Sequence, residues 1–379
     1  MPGARHSKRG ALTRPLLRRK GVLMLIERCN KLMAELQKEG VDGAIITHGT
    51  NIRYFSNFTS DESVLVISKD RRVLLTDFRY TIQARELSSP AFEVIETSRA
   101  IATDEIAAVM KEMGMVKCAF EDGYLTVREF NNYKDLPVEL VPMTPVIDKF
   151  RLVKDAYEVE CLKKAQAIAD EAFAELVTKI HAGMTEKEVA NELDHLLRLH
   201  GAEENSFDTI VGSGPNGALC HATPGPRKLT EGDLVVIDFG CKYMGYCSDM
   251  TRTIAVGEPC DELKKIYDIV RRAQAAALEA LTPNMSAKEL DGVARDLIAA
   301  EGYGPCFGHS LGHGFGLDIH EAPYASMRSN DILVPGSTIT VEPGIYVEGL
   351  GGVRIEDDCV LTEDGYIDLA HTGKDMIII

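Results

Sequence analysis

The chain has 379 residues, 45% of them hydrophobic and 26% charged, with a net charge of −16. That length allows two domains with well-buried cores. The acidic balance excludes a nucleic-acid backbone as partner, and no apolar run approaches the ~20 residues that span a bilayer.

Nine cysteines, odd in number and without a C-x-x-C pair, argue against a disulfide framework or structural zinc site. They point to a reduced, cytoplasmic setting. Residues 1–23 stand apart: Arg5, Lys8, Arg9, Arg14, Arg18, Arg19 and Lys20 occur there without an acid. The stretch lacks both the apolar core of a secretory signal and the periodicity of a packed helix. A disordered basic extension is expected over 1–23. From 24 to 150, "MLIERCNKLMAELQKEG" predicts an amphipathic helix and "GAIITHG" a strand. "SVLVIS" and "RRVLLTD" predict a hairpin turning at Lys69-Asp70; "DEIAAVMKEMG" and "KCAFED" add a helix and a strand. That alternation predicts an α/β domain. Pro142 and Pro145 mark its end, and 151–379 reads as a second domain opening on a long helix.

The second domain contains a repeat. "HAGMTEKEVANELDHLLRLHG" (181–201) is echoed by "TPNMSAKELDGVARDLIAAEG" (282–302), and Thr185-x-x-Glu188 and Ser286-x-x-Glu289 predict two helix-opening capping boxes. "EGDLVVIDFG" (231–240) lies over "PGSTITVEPG" (335–344), which sets Asp238 opposite Glu342. "SDMTRT" over "IEDDCV" sets Asp249 opposite Glu356, and "HATPG" over "HEAP" sets His221 opposite His320. Two related halves facing each other would bring these acids together.

Four carboxylates in one cavity repel each other into protonation unless cations neutralise them. Two divalent ions balance the charge. Oxygen-rich ligation with one imidazole suits Mn²⁺, with Co²⁺ and Zn²⁺ as alternatives. Two ions ~3.5–4 Å apart can activate a shared water. The imidazole is sought in "FGHSLGHGFGLDIHEAP", where His309, His313 and His320 alternate with glycines that rule against a helix. Strand alternation in "GGVRIEDDCV" puts Arg354 beside Glu356, able to brace the metal-bound carboxylates. Thr251 shares a face with Asp249 by the same rule. "GSGPNG" (212–217) matches a dinucleotide fingerprint, but Pro224 and Pro226 break the helix which that motif must open.

With "VVIDFG", "GYCSDMTRT", "GHSLGHGFGLDIHE", "VEPGIY" and "GGVRIEDD", the sequence resembles the creatinase/aminopeptidase P/prolidase family of pita-bread metallopeptidases. The likeness extends from about 150 to 379, and more weakly to "NIRYFSNF" and "LLTDFRYTIQARE". It implies an α/β N-terminal domain and an α+β pita-bread catalytic domain with an internal two-fold repeat. It also implies metal ligands at Asp238, Asp249, His313, Glu342 and Glu356, with His221, His320 and Glu342 catalytic. His309 and Arg354 would touch substrate or support the ligands. The implied activity is hydrolysis of the Xaa-Pro bond by a metal-bridged hydroxide, in an Xaa-Pro aminopeptidase or an Xaa-Pro dipeptidase. The substrate would be a proline-containing peptide and the assembly a homodimer, with no nucleic-acid or membrane partner. The alternative is a metal-free creatinase-like hydrolase or a non-catalytic peptide-binding relative.

Overall fold

The structure is a computed structural model that describes residues 13–58, 60, 62–98 and 103–379. It divides into two units, Met1–Arg151 and Leu152–Ile379.

Helix α1 (Thr13–Lys38) opens the first unit. Leu25, Cys29, Leu32, Met33 and Leu36 are buried along it, a helical spacing that turns one face into the core. The boundary expected at residue 23 falls inside this helix, and residues 1–12 lie outside the described residues. Leucine and arginine are good helix formers, and Pro15 sits in the first turn, where it removes no intrahelical bond.

There follow β1 (Gly43–Ile46), α2 (Gly49–Ser56), β2 (Ser63–Ser68), β3 (Arg72–Asp77), α3 (Thr81–Ser88), β4 (Glu93–Thr97), α4 (Thr103–Glu112), β5 (Lys117–Phe120), α5 (Val127–Tyr133), β6 (Glu139–Pro142) and α6 (Thr144–Asp148). The six strands form one sheet in the order β4-β3-β2-β1-β5-β6. The hairpin pairs Ile67 with Arg72 across Lys69-Asp70. Strand β2 is buried at every position, as a strand covered on both faces must be.

The second unit runs α7 (Ala156–Val177), α8 (Glu186–Leu199), β7 (Glu204–Asn205), β8 (Ile210–Ser213), β9 (Leu234–Phe239), β10 (Cys241–Tyr243), β11 (Tyr246–Cys247), β12 (Met250–Ala255), α9 (Asp261–Ala280) and α10 (Ala287–Ala300). It continues through β13 (Gly312–Gly314), β14 (Glu321–Ala325), β15 (Thr338–Val341), β16 (Gly344–Val347), β17 (Gly351–Arg354), β18 (Asp357–Leu361), β19 (Tyr366–Asp368) and β20 (Ile377–Ile378). In the first half Phe173 and Leu193 of the helices pack on Val235, Ile237 and Phe239. In the second half Ile266, Val270 and Leu290 pack with Ile339 and Val341. Each half is thus a helix pair on an antiparallel strand pair, β9 with β12 and β15 with β18.

The repeat extends to backbone bonding. Thr185 bridges Lys228 where Ser286 bridges Ile332, and the next amide of each copy donates to Arg227 O or Asp331 O. One expectation fails here. Thr185 and Glu188 close a capping box, whereas the Ser286 hydroxyl makes no cap bond. In the second copy the helix start is fixed by backbone pairing alone.

Candidate metal centre

The pleat of β9 sends Val235, Ile237 and Phe239 into the helix layer and leaves Asp238 on the opposite face. Asp249 immediately precedes β12, Glu342 follows β15, Glu356 lies between β17 and β18, and His313 is the middle residue of β13. These five residues line one cavity of about 480 Å³, together with His221, His309, His320 and Arg354. Strand β13 approaches β15 so closely that a Cβ on Gly312 would stand 1.9 Å from Thr340 O. A glycine is required there.

Asp249, His313 and Glu356 each offer a ligand atom within 4.8 Å of the others. His313 Nε2 lies 3.4 Å from Glu342 Oε1 and 3.6 Å from Asp249 Oδ2, while Nδ1 is 3.0 Å from Gly314 O. Arg354 Nη2 donates to Asp238 Oδ2 at 2.5 Å, and Thr251 Oγ1 donates to Glu356 Oε2 at 2.6 Å. The other oxygens, Asp238 Oδ1 and Glu356 Oε1, are buried without a hydrogen-bond partner. An unmet buried carboxylate oxygen costs ~1–3 kcal/mol or more. A cation placed among these oxygens removes that cost, so the donor set fits metal.

Electrostatics agree. Burial, reinforced by Glu356 and Asp238, holds the Asp249 carboxyl well above its usual range. Burial with Glu342 and Asp238 does the same to Glu356. Glu342 is pushed up to about 8 by burial, against the pull of Arg354. Burial and the neighbouring His320 bring His313 down to about 4. Both shifts oppose an ion pair between His313 and Glu342 despite their closeness, and they favour the neutral imidazole, the form able to bind metal.

The histidines differ in how they are held. His309 O accepts from Arg295 Nη2 at 2.7 Å, and Asp291 binds that guanidinium through both oxygens. The loop carrying His221 is clamped by Glu186, which accepts from Ser213 N, Asn216 Nδ2 and Gly225 N. The His320 ring lies 4.3 Å from that of His313, centre to centre. From Gly214 of "GSGPNG" to Ala218 the chain forms a short 3₁₀ turn rather than a long helix, which disposes of the dinucleotide reading.

Four contributors escaped the sequence reading. Thr340 Oγ1 accepts from His313 N and donates to Glu342 Oε1. Asp358 Oδ2 accepts from Asp249 N at 2.8 Å. Tyr346 OH accepts from Arg354 Nη1 at 2.8 Å and lies 2.9 Å from His309 Nε2. Asp208 stands on the cavity wall. Thr340 lies two residues before Glu342, an acid already singled out, so alternation along β15 could have found it.

Two facing halves that converge four carboxylates and an imidazole define a metal-dependent hydrolase. Residues 160–363 match Metallopeptidase family M24, residues 28–153 match the Creatinase/Prolidase N-terminal domain, and the chain belongs to family M24. It is 37% identical over 353 residues to the Xaa-Pro dipeptidase of Pyrococcus furiosus, covering 93% of this chain and 99% of that protein. An Xaa-Pro dipeptidase structure from Bacillus anthracis superposes with TM-score 0.90 at 42% identity, covering 94% of this chain and 100% of the other. An X-Pro aminopeptidase structure from Thermotoga maritima gives 0.85 at 39% identity, covering 90% and 98%. The catalytic unit has the pita-bread fold.

Proposed function

We propose that this chain hydrolyses the Xaa-Pro bond of short peptides, with two divalent ions held by Asp238, Asp249, His313, Glu342 and Glu356. The observation that carries this is the pair of buried, donorless oxygens, Asp238 Oδ1 and Glu356 Oε1, one from each half. The ions, when bound, acidify a water and polarise the scissile carbonyl.

The chain's own groups do the rest. Glu342, oriented by the Thr340 hydroxyl at 3.1 Å, is the proton acceptor. Arg354 fixes Asp238 from behind. His320 and His221 face the cavity and donate to the oxygen on which charge develops, a role worth roughly 3 kcal/mol per donor. His309, tied to Tyr346, borders the substrate. The oxygen-rich donor set favours Mn²⁺. All nine cysteines are free thiols, which supports a cytoplasmic setting. No helix among the described residues is long and apolar enough to cross a membrane. A homodimer is part of the proposal and rests on the family resemblance.

The test is hydrolysis of Ala-Pro and Ala-Pro-Ala before chelation, after it, and after return of Mn²⁺, Co²⁺ or Zn²⁺. Loss and recovery of Xaa-Pro cleavage, with Mn²⁺ the best restorer, is the expected result. Activity that survives complete metal removal returns the protein to the metal-free class.

A further inference from the structure

A buried ion pair stands behind the cavity and takes no part in the chemistry described above. Lys154, the residue before the Asp155 cap of α7, carries Nζ to 2.6 Å from Glu321 Oε1, and the two side chains are only 1% and 7% exposed. Nζ also donates to Leu152 O at 3.4 Å, and the Lys154 amide donates to Gly336 O at 2.8 Å. Neither residue lines the cavity. Such a pair is weak grounds for stability, because apolar residues of similar volume hold a core as well or better. What it does supply is a fixed direction for the chain at Glu321, the residue that follows His320.

In β14 Glu321, Pro323 and Ala325 are buried while Ala322 and Tyr324 are exposed. The pleat that turns Glu321 inward therefore aims His320 the other way, onto the cavity wall. The His320 ring has no hydrogen bond among the described residues and rests against the ring of His313, 4.3 Å away. Its aim comes from the backbone that carries it. The two arms of the β13–β14 hairpin are held by different means. On the β13 arm, Thr340 Oγ1 accepts from His313 N and Thr338 Oγ1 from Phe315 N, each at 3.0 Å. On the β14 arm, Glu321 is tied to Lys154. Between the arms, Cys247 N donates to Gly316 O at 2.7 Å, and a Cβ on Gly316 would stand 2.5 Å from Glu321 Oε1, so the loop closes directly over the pair. Without the pair, the metal ligand His313 keeps its own threonine clamps, whereas His320 loses the anchor beside it.

We infer that Lys154 is a positioning residue for His320: it fixes the Glu321 carboxylate and, through the backbone that joins the two residues, holds the imidazole toward the oxygen on which charge develops. This deepens the Xaa-Pro reading and rests on it. The leverage is large, since a catalytic group misplaced by about 1 Å costs on the order of 10²-fold in rate.

The experiment is a double-mutant cycle on the full chain loaded with Mn²⁺, reading kcat and KM for Ala-Pro and Ala-Pro-Ala. Lys154→Met alone would leave Glu321 buried and unpaired, which threatens the fold itself. The working variant is therefore Lys154→Met with Glu321→Leu, which removes both charges at similar volume. It should keep its metal and hold KM within about twofold while kcat falls about ten- to a hundredfold, the pattern of an interaction made only in the transition state. In a His320→Ala background the same two changes should cost less than about twofold, because effects that act through one group do not add. An equal loss in both backgrounds makes the pair a general support and overturns the inference while leaving the Xaa-Pro reading intact. So does an unchanged kcat in the paired variant. A paired variant that lacks metal or fold also overturns it, since the pair would then hold the whole hairpin rather than His320. An unaltered chain that cleaves neither peptide removes the Xaa-Pro reading and this inference with it.

Discussion

Glu342 and His320 border the same cavity, yet their surroundings assign them different work. Glu342 lies against His313 Nε2 and the Thr340 hydroxyl, inside the cluster of donors. His320 is exposed to the cavity and touches the cluster only through the His313 ring. His320→Ala should therefore keep both metals and lose roughly 10²–10³-fold in kcat, the loss for one missing oxyanion donor. Glu342→Ala should lose activity and metal together. Metal analysis beside kinetics decides; equal metal loss in the two variants would make His320 a ligand. His309 carries a pH signature of its own. Burial, with Arg354 adding to it, holds this imidazole at about 4, against ~6.5 in an unfolded chain. Between those values the unfolded chain binds a proton that the folded chain does not. The stability this group contributes is full above pH 6.5 and lost as pH falls toward 4. In chelated protein, His309→Asn should flatten the dependence of unfolding free energy on pH between 5 and 6.5, by up to ~1.4 kcal/mol per unit. Parallel urea-denaturation curves for the two proteins would show that His309 does not carry the effect.

Helix α1 offers a cleaner separation of sequence from packing. Its buried face begins at Leu25, and Leu23 is 66% exposed. Truncation to Met24 removes no buried side chain among the described residues, so melting temperature and turnover should stay unchanged. A drop of several degrees would show that the basic segment packs or binds. The same helix shows what composition could not reveal. A run of arginines without apolar periodicity gives no packing signal, yet arginine and leucine are good helix formers and α1 runs through it. Strand β9 was readable as a short β-branched apolar run, and the repeat that lays it over β15 brought Asp238 and Glu342 together. Strand β18 hides its logic. Asp357 and Asp358 read as surface acids, yet both are buried, Asp357 against Arg252 and Gln274 and Asp358 beneath Asp249 N. Those partners lie far off in the chain, so no local pattern announces them. Tyr346 is the same case: the pairing of β16 with β17 brings it near Arg354, and His309 reaches it from the segment before β13. The second capping box is absent although Ser286 keeps the same backbone pairing as Thr185, so that pairing can hold the helix start without the box.

The two units divide the work unequally, because every donor of the metal cavity lies between residues 238 and 356. Metal binds the folded second unit and has no comparable site when that unit is open, so mass action stabilises it by RT ln(1 + [M]/Kd), about 2.7 kcal/mol at a hundredfold excess over Kd. The stabilisation should be felt where the ligands are fixed. Amides of β9, β12, β15 and β18 bond across the strand pairs that carry or flank the four carboxylates, and those of β13 and β14 flank His313. The sheet of β1 to β6 contains none of the five donors. Hydrogen exchange on chelated and Mn²⁺-loaded protein separates the two responses, since each amide reports its own opening free energy. Loading should slow exchange in β9, β12, β13, β15 and β18 by roughly a hundredfold at that excess and leave β1, β2 and β5 within about twofold. Pro323, the middle residue of β14, and Pro343, between β15 and β16, carry no amide, so β13 rather than β14 is the reporter beside His313. Equal slowing in both sheets would mean that the units open together and that metal stabilises the chain as one body. Slowing confined to the first sheet, or to neither, would place the metal elsewhere and overturn the ligand assignment.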